Sequence, residues 1–190
     1  LGQLAEKFDL DSLIESTVEA GRPDTITAEK LSALRRNGVT RVSVNPQSMD
    51  DRVLSAIGRR HSAADIRAAM ELVRSAGFPH VNIDLIAGLP EDTPEGFRRT
   101  LDEVISFGTD NITVHTLSLK KGSRITLEGT RIPIEAEVAE MLDYANAALR
   151  TAGFGPYYLY RQKYMSGSFE NVGRCRPGGT GWYNIYIMEE

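Results

Sequence analysis

Four β-prone segments of this chain alternate residue by residue between apolar and polar side chains, and that alternation limits the fold more than any other feature. In the extended run 14–19, Ile14 and Val18 oppose Glu15, Thr17 and Glu19. In the next, Val42 and Val44 oppose Ser43 and Asn45. Val81, Ile83 and Leu85 oppose Asn82 and Asp84, and Ile112 and Val114 oppose Thr113 and His115. A period of two is the mark of a strand with two different faces. Helix-period stretches follow the strands: Ile66, Ala69, Met70 and Val73; then Phe97, Leu101, Val104 and Ile105; then Ile134, Val138, Met141, Ala145 and Leu149. Strands alternating with helices of this length form βαβ units and a parallel sheet. A parallel strand covered on both faces reads as an unbroken apolar run, and these do not. The apolar face meets the helices. The polar face must then meet water or a polar ligand, because a buried polar group without a partner costs about 1–3 kcal/mol. The pattern predicts a curved, barrel-like sheet around a wet cavity. The plainer reading has the polar side chains bonding one another across a small barrel interior.

Local signals set the boundaries. A short helix over about residues 1–7 precedes the first extended run. Gly38, Gly77 and Gly108 fall where helices end, since glycine tolerates the left-handed closing residue. Ser62-Ala63-Ala64-Asp65 has the spacing of a capping box, with Asp in place of Glu. Thr93-Pro94 starts a helix with proline in the first turn, where its missing N–H is harmless. Tyr157 to Tyr160 reads as a fifth strand, and the glycine-rich tail from Gly167 to Gly181 gives no clear signal.

Composition excludes several classes. The 190 residues carry Lys+Arg 22 against Asp+Glu 26, a net charge of -4, which gives no electrostatic footprint for nucleic acid. No apolar run approaches the roughly 18 residues of a membrane helix, and the opening stretch carries Glu6, Lys7 and Asp9, unlike a signal peptide. A cytoplasmic location is the expectation. A single cysteine, Cys175, excludes an internal disulfide framework and reads as a plain thiol. One cysteine also falls short of the thiolates an iron–sulfur cluster takes.

In barrels, functional groups sit at the C-terminal strand ends. Glu19, Gln47, Asp84 and the Ser118 region fall there or close by. There is no Gly-x-Ser-x-Gly elbow and no Walker loop, and His61, His80 and His115 lack metal-site spacing. Ligand binding is the better expectation: carboxylates and amides accept from hydroxyls and amines, and Arg59 can fork onto a carboxylate. Each residue has a plainer role. Glu19 is then a solvated strand-end charge, Gln47 a brace for the turn after Pro46, Arg59 and Arg60 a surface pair, and Asp84 a buried group with its own partner. Gly88-Leu89-Pro90 is either a loop that admits a ligand or a tight strand exit.

Four motifs follow one another in fixed order: Thr17-Val18-Glu19-Ala20-Gly21-Arg22-Pro23, then Arg41-Val42-Ser43-Val44-Asn45-Pro46-Gln47-Ser48, then Ile57-Gly58-Arg59-Arg60-His61, then Asn82-Ile83-Asp84-Leu85-Ile86-Ala87-Gly88-Leu89-Pro90-Glu91-Asp92-Thr93. Each alone is weak. The ordered series resembles the oxygen-independent coproporphyrinogen oxidase family of radical S-adenosylmethionine enzymes, over essentially the whole chain. Tyr157-Tyr158-Leu159-Tyr160-Arg161-Gln162-Lys163 with Glu170-Asn171-Val172-Gly173 resembles its coproporphyrinogen dehydrogenase branch.

The resemblance implies an α/β fold with parallel βαβ units forming part of a partial (β/α)6 TIM-like barrel. Residues 1–155 would enter it at the third strand, and 156–190 would be a later part of the same domain. It implies contacts to S-adenosylmethionine from Glu19, Gln47, Arg59, Asp84 and, through its backbone, Ser118. Asp84 and Gln47 would accept from ribose hydroxyls, Arg59 would hold the methionine carboxylate, and Glu19 would take the ammonium. It implies conversion of coproporphyrinogen III to protoporphyrinogen IX by a radical released from S-adenosylmethionine at a [4Fe–4S] cluster. Arg161, Lys163, Lys120 and Lys121 are candidate partners for the four substrate carboxylates, from charge alone. The family's Cys-x-x-x-Cys-x-x-Cys loop is not in this sequence. The expectation is therefore a fragment of a longer protein, inactive by itself and prone to self-association through an exposed strand edge. A haem-binding trafficking relative and a non-catalytic α/β binding module are the alternatives.

Overall fold

The computed structural model describes residues 2–10, 12–118, 130–161 and 169–188. Each strand–helix unit is laid down by the local signals that its sequence carries. Strand β1 (Thr17–Gly21) leads through a single 3-10 turn (Pro23–Thr25) into α2 (Ala28–Arg36); a short α1 (Gly2–Ala5) precedes them. Strand β2 (Arg41–Gln47) is followed by α3 (Asp51–Ala56) and α4 (Ala63–Ala76). Then come β3 (His80–Ala87), α5 (Pro94–Ser106), β4 (Asn111–Thr116), α6 (Glu135–Thr151), β5 (Gly155–Tyr160), β6 (Asn171–Cys175) and α7 (Trp182–Met188).

The caps are the expected ones. The Ser62 hydroxyl accepts from the Asp65 N–H at 3.2 Å, and the Asp65 carboxylate accepts from the Ser62 N–H at 2.8 Å, a reciprocal capping box. Gly77 closes α4 with φ 66°. Thr93 accepts from the Gly96 N–H at 3.0 Å, and Pro94 fills the first turn of α5.

The six strands form one sheet in the order β1-β2-β3-β4-β6-β5. Strands β1 to β4 pair in parallel. Strand β6 then runs antiparallel to both β4 and β5. The sheet is therefore mostly parallel. The βαβ expectation holds through β4 and fails at the last insertion, where β5 and β6 form an antiparallel pair and β6 takes the place beside β4. The featureless tail is where that strand lies. Two further expectations are corrected. Ile14 lies before β1 and is 73% exposed, so the apolar face of that strand starts at Val18. Ile134 is the N-cap of α6 and is also exposed, so the apolar stripe of that helix begins at Val138.

The outward faces of the strands carry the core. Val42, Val44, Ile83, Leu85, Ile112 and Val114 are buried against Leu31 of α2, Ile66, Met70 and Val73 of α4, Phe97, Leu101 and Val104 of α5, and Met141, Ala145 and Leu149 of α6. Fully burying one such side chain contributes about 1.5–3 kcal/mol, so this face fixes the register. A one-residue slip would exchange it with the polar face.

Two bulges bend the sheet on its β1–β2 side. Between Glu19 and Gly21 strand β1 advances two residues while β2 advances one. Between Val44 and Gln47 strand β2 advances three residues while β3 advances two. The second bulge leaves Gln47 at φ 72°, a left-handed conformation that a non-glycine residue seldom adopts. Bulges re-aim side chains and cluster beside functional sites.

Candidate functional site

The inward face of the sheet is a continuous polar surface. The register aligns Glu19, Ser43, Asn82 and Asn111 across β1 to β4, and Asp84 beside Thr113. These side chains form a chain of hydrogen bonds. The Asn45 amide donates to Glu19 at 2.8 Å, and the Ser43 hydroxyl donates to Asn45 at 3.0 Å. The Asn82 amide donates to the Ser43 hydroxyl and to Asp84 Oδ1, both at 2.9 Å. Asp84 Oδ2 lies 3.7 Å from His115 Nε2, and His115 Nδ1 lies 3.0 Å from the Tyr160 hydroxyl. The hydrogen bonds thus run from Glu19 to Asp84, and the 3.7 Å contact between Asp84 and His115 carries the row of polar groups on to β5.

A cavity of about 200 Å³ opens on this face. Glu19, Asp84, His115, Tyr158 and Tyr160 line it, together with Ser43 and Asn82. Tyr158 and Tyr160 lie nearly parallel, 4° apart with centroids 6.4 Å apart. The Tyr158 ring rests on Gly173 so closely that a Cβ there would come within 1.8 Å of it. Its hydroxyl meets Thr113 at 3.2 Å. Burial first pushes both tyrosines above the ordinary phenol range; Tyr157 and then Asp84 add to it at Tyr158, and the negative charge of Asp84 adds to it at Tyr160. They are neutral groups in any ordinary buffer, available as hydrogen-bond partners and as an aromatic wall.

The other end of the cavity is bound up in structure. Arg41 Nε meets Glu15 at 3.0 Å, both side chains nearly inaccessible. Arg41 Nη2 donates to the carbonyls of Gly179 at 3.1 Å and Thr180 at 2.8 Å. Glu15 also accepts from the Thr17 hydroxyl at 2.9 Å and the Trp182 N–H at 3.3 Å. Burial alone would raise the Glu15 carboxyl, but the bonds from Thr17 and Arg41 and the arginine charge outweigh it and hold it below the usual range. This pair ties α7 across the end of the sheet. It also neutralises Arg41, the one Lys or Arg among the described residues lining the cavity.

Of the five expected ligand residues, Glu19 and Asp84 line this cavity. Gln47 and Arg59 are not among the residues that line it. Gln47 ends β2, and its buried amide oxygen has no donor among the described residues. Arg59 is half-buried, its N–H bonded to the Leu54 carbonyl at 2.9 Å. Burial lowers the His61 pKa and the Arg59 charge lowers it further, with Asp24 and the Pro46 backbone acting the other way. Ser118 is half-buried, two residues beyond the end of β4. Arg60 is exposed. Arg161 is exposed at the end of β5 and pairs with Glu170 at 2.9 Å. Lys120, Lys121 and Lys163 lie outside the described residues. His115, Tyr158 and Tyr160 were not singled out as site residues from the sequence. Their signal was present in the alternation, which puts His115 on the polar face and Tyr158 and Tyr160 on a common face.

The arrangement suits a ligand with hydroxyl donors and positive charge. Asp84 Oδ2 has no donor at hydrogen-bond distance among the described residues, and Glu19 is held by one amide. No three His, Cys, Asp or Glu among the described residues are grouped to share an ion, and Cys175 is buried on β6.

A mostly parallel sheet, bulged in β1 and β2, with residues of this kind along its polar face defines the class. The sequence pattern of the radical SAM superfamily matches residues 5–104, and the chain belongs to that superfamily. Within it the chain is 44% identical to the oxygen-independent coproporphyrinogen-III oxidase-like protein HemZ of Bacillus subtilis, over 96% of this chain and 37% of that protein. It is 30% identical to the heme chaperone HemW of Mycobacterium tuberculosis, over 97% of this chain and 45% of that protein. The coproporphyrinogen III oxidase HemN from Escherichia coli, a radical SAM enzyme, shares the fold with a TM-score of 0.70 and 24% identity, over 92% of this chain and 38% of that one. The chain therefore spans less than half the length of each of these relatives. Among the described residues no helix is long and apolar enough to cross a membrane.

Proposed function

We propose that this chain supplies the S-adenosylmethionine-facing wall of a radical SAM oxidoreductase acting on a porphyrinogen, and that the full-length protein carries out the anaerobic oxidative decarboxylation of coproporphyrinogen III to protoporphyrinogen IX. The observation that carries the reading is the Asp84 carboxylate: it projects into the cavity from the Asn82–Thr93 motif, with one oxygen braced by Asn82 and the other open. The similarity to HemZ over nearly the whole chain supports the porphyrinogen as substrate.

The residues fit S-adenosylmethionine. Asp84 and the donor-free amide oxygen of Gln47 accept from ribose hydroxyls. Glu19 attracts the ammonium, and Arg59 attracts the carboxylate. Ser118 would add a contact through its backbone. Bound there, S-adenosylmethionine supplies a sulfonium whose cleavage starts radical chemistry. The residues do not fit a [4Fe–4S] cluster, which takes several thiolates, against the one cysteine present. Anaerobic treatment of the 190-residue chain with iron, sulfide, dithionite and S-adenosylmethionine should release no 5′-deoxyadenosine. Release of it by this chain would overturn this reading of the cysteine.

Calorimetry on the full-length protein tests the site. Asp84→Ala and Arg59→Ala should each weaken S-adenosylmethionine binding at least tenfold, a loss of about 1.4 kcal/mol or more, with little change in thermal unfolding. Two variants that bind as the wild type does would sink the assignment. A second reading, haem binding for trafficking, rests on the 30% identity to the heme chaperone. Haem titration followed at the Soret band separates the two: stoichiometric haem uptake without porphyrinogen turnover favours the second.

A further inference from the structure

We propose that the cavity between β6 and α6, on the outward side of the sheet, binds a small organic monocarboxylate: Arg174 takes the carboxylate, and apolar walls take the body that carries it. The site shares no lining residue with the polar cavity and stands apart from S-adenosylmethionine binding there.

Strand register makes the cavity. In the antiparallel pairing of β6 with β4, Val172 lies opposite Val114 and Arg174 opposite Ile112. Val114 and Ile112 belong to the outward, core-side face, so Val172 and Arg174 face α6 while Gly173 faces the Tyr158 ring. An arginine thus stands where the pattern of β4 would put an aliphatic side chain. Across from it, α6 offers Ala139, Ala145 and Asn146, short side chains that do not fill the gap. The space left is about 190 Å³. Leu142, Phe169 and the two valines complete the apolar walls. A mostly apolar pocket with a few placed polar groups is the usual form of a small-molecule site.

Charge decides the ligand's head. Arg174 is half-buried and is the one Lys or Arg among the described residues lining the cavity. Its side chain donates through Nη2 to the Asn146 amide oxygen. Among the described residues no carboxylate pairs with it: Glu170, at the same cavity, pairs instead with Arg161 at 2.9 Å, and Asp143 is exposed on α6. Arg150, in the last turn of α6, brings a second positive charge to bear: burial first, and then Arg150, lower the Arg174 pKa. A half-buried guanidinium near another cation, with an amide as its partner, carries a charge that an anion would compensate. The guanidinium fork matches a carboxylate or a phosphate. Glu170 and Asp143 at the same cavity repel a doubly charged phosphate more than a singly charged carboxylate. The apolar walls then favour a carboxylate with an apolar body.

Benzoate in solution with the full-length protein tests this, followed by saturation-transfer NMR. The wild type should bind benzoate saturably. Acetate has the same head with almost no apolar body, and it should bind at least about tenfold more weakly. Inorganic phosphate should bind at least about tenfold more weakly too. Arg174→Gln removes the charge and keeps a donor; it should weaken benzoate binding about tenfold. Ala139→Leu leaves the charge and fills the space, and it should weaken benzoate binding to a similar degree. The three wild-type titrations stand even if a variant fails to fold. No saturable binding of benzoate, or binding by either folded variant as tight as the wild type's, overturns the site. Acetate or phosphate bound as tightly as benzoate overturns the assignment of an apolar carboxylate.

Discussion

Strands β1 to β4 and strands β5 and β6 belong to one sheet, yet different chemistry attaches them. In the parallel part each strand presents an apolar outward face to a helix, and the buried side chains of β2, β3 and β4 join one core with α2, α4, α5 and α6. In the antiparallel part, all six β5 residues are half-buried or exposed, side by side with polar anchors. Asn111 and Asn184 both donate to the Tyr157 hydroxyl at 2.9 Å, Tyr158 meets Thr113, Tyr160 meets His115, and Arg41 holds the Gly179 and Thr180 carbonyls. The first part is secured by apolar area, which many residues share. The second is secured by individual polar contacts, each of which matters singly. The cavity lies where the two meet, with carboxylates from the first and the aromatic wall from the second.

The difference is broken most directly in the parallel part. Ile83 of β3 is fully buried at the centre of the sheet. Ile83→Ala should destabilise the protein by about 4 kcal/mol, the transfer loss plus an unfilled cavity, and should do so globally. Denaturant titration followed by tryptophan fluorescence and by far-ultraviolet circular dichroism should give coincident transitions. A loss below about 1 kcal/mol would mean that the core is less tightly shared than described.

Breaking one polar anchor should instead act locally first. Arg41→Leu strands a buried carboxylate, Glu15, and frees the carbonyls of Gly179 and Thr180. Removing one partner of a buried pair costs about 3 kcal/mol. Hydrogen exchange should speed up in α7 and in residues 176–181 well before β2 and β3 respond. Adding Glu15→Gln should recover part of the loss, because the stranded charge is then gone. Uniform loss of protection across the sheet would contradict the separation.

Gly173→Ala sharpens the comparison at the seam. The added methyl would overlap the Tyr158 ring, forcing the ring off Gly173 and away from Thr113. Overpacking of this kind costs about 2 kcal/mol. In a Tyr158→Ala background the same methyl should cost far less, a coupling that a double-mutant cycle measures. Additive effects would show that the ring does not depend on a bare backbone at that position.

What the sequence made legible follows the same division. The alternation in 42–45, 81–85 and 112–115 located three strands and told their two faces apart, because burial on one side leaves a period-two record. The caps at Ser62 and Thr93 located α4 and α5 because capping is local chemistry. Strand β6 left no such record. Its residues Asn171-Val172-Gly173-Arg174-Cys175 pair with β4 and β5 on both sides, and its pattern answers to single contacts: Gly173 leaves room for the Tyr158 ring, and Arg174 bonds Asn146 of α6. For the site, Glu19 and Asp84 were readable because strand period and a resemblance to a known family agreed on them. Their meeting with His115 and Tyr160 was not, because β5 reaches the cavity only through the inserted β6, and no local signal encodes that contact.

One buried acid runs against the apolar character of the parallel part, and it predicts the smallest and most pH-dependent effect. Asp92 lies in the loop from β3 to α5 and is 2% exposed. Its carboxylate accepts from the Thr93 N–H at 2.8 Å, and Gly96 packs so close that a Cβ there would sit 2.6 Å from it. Burial pushes its pKa up to about 6; the Thr93 bond and the charges of Arg52 and Arg99 oppose this, and Asp50 adds to it. In the unfolded chain an aspartate titrates near 3.9. A group whose pKa rises on folding stabilises the fold when protonated. Its contribution is complete below about pH 4 and is lost as pH rises through about 6. Asp92→Asn keeps an oxygen for Thr93 and removes the charge. The variant should therefore be more stable than wild type at pH 7.5, by about 1–2 kcal/mol after allowing for imperfect mimicry of the acid. The advantage should shrink steadily toward pH 4. Thermal unfolding of both proteins at half-unit steps from pH 4 to 8 measures it. An advantage that does not change with pH would mean that Asp92 stays ionised in the folded protein, with its charge compensated by Arg52 and Arg99 instead of suppressed by burial.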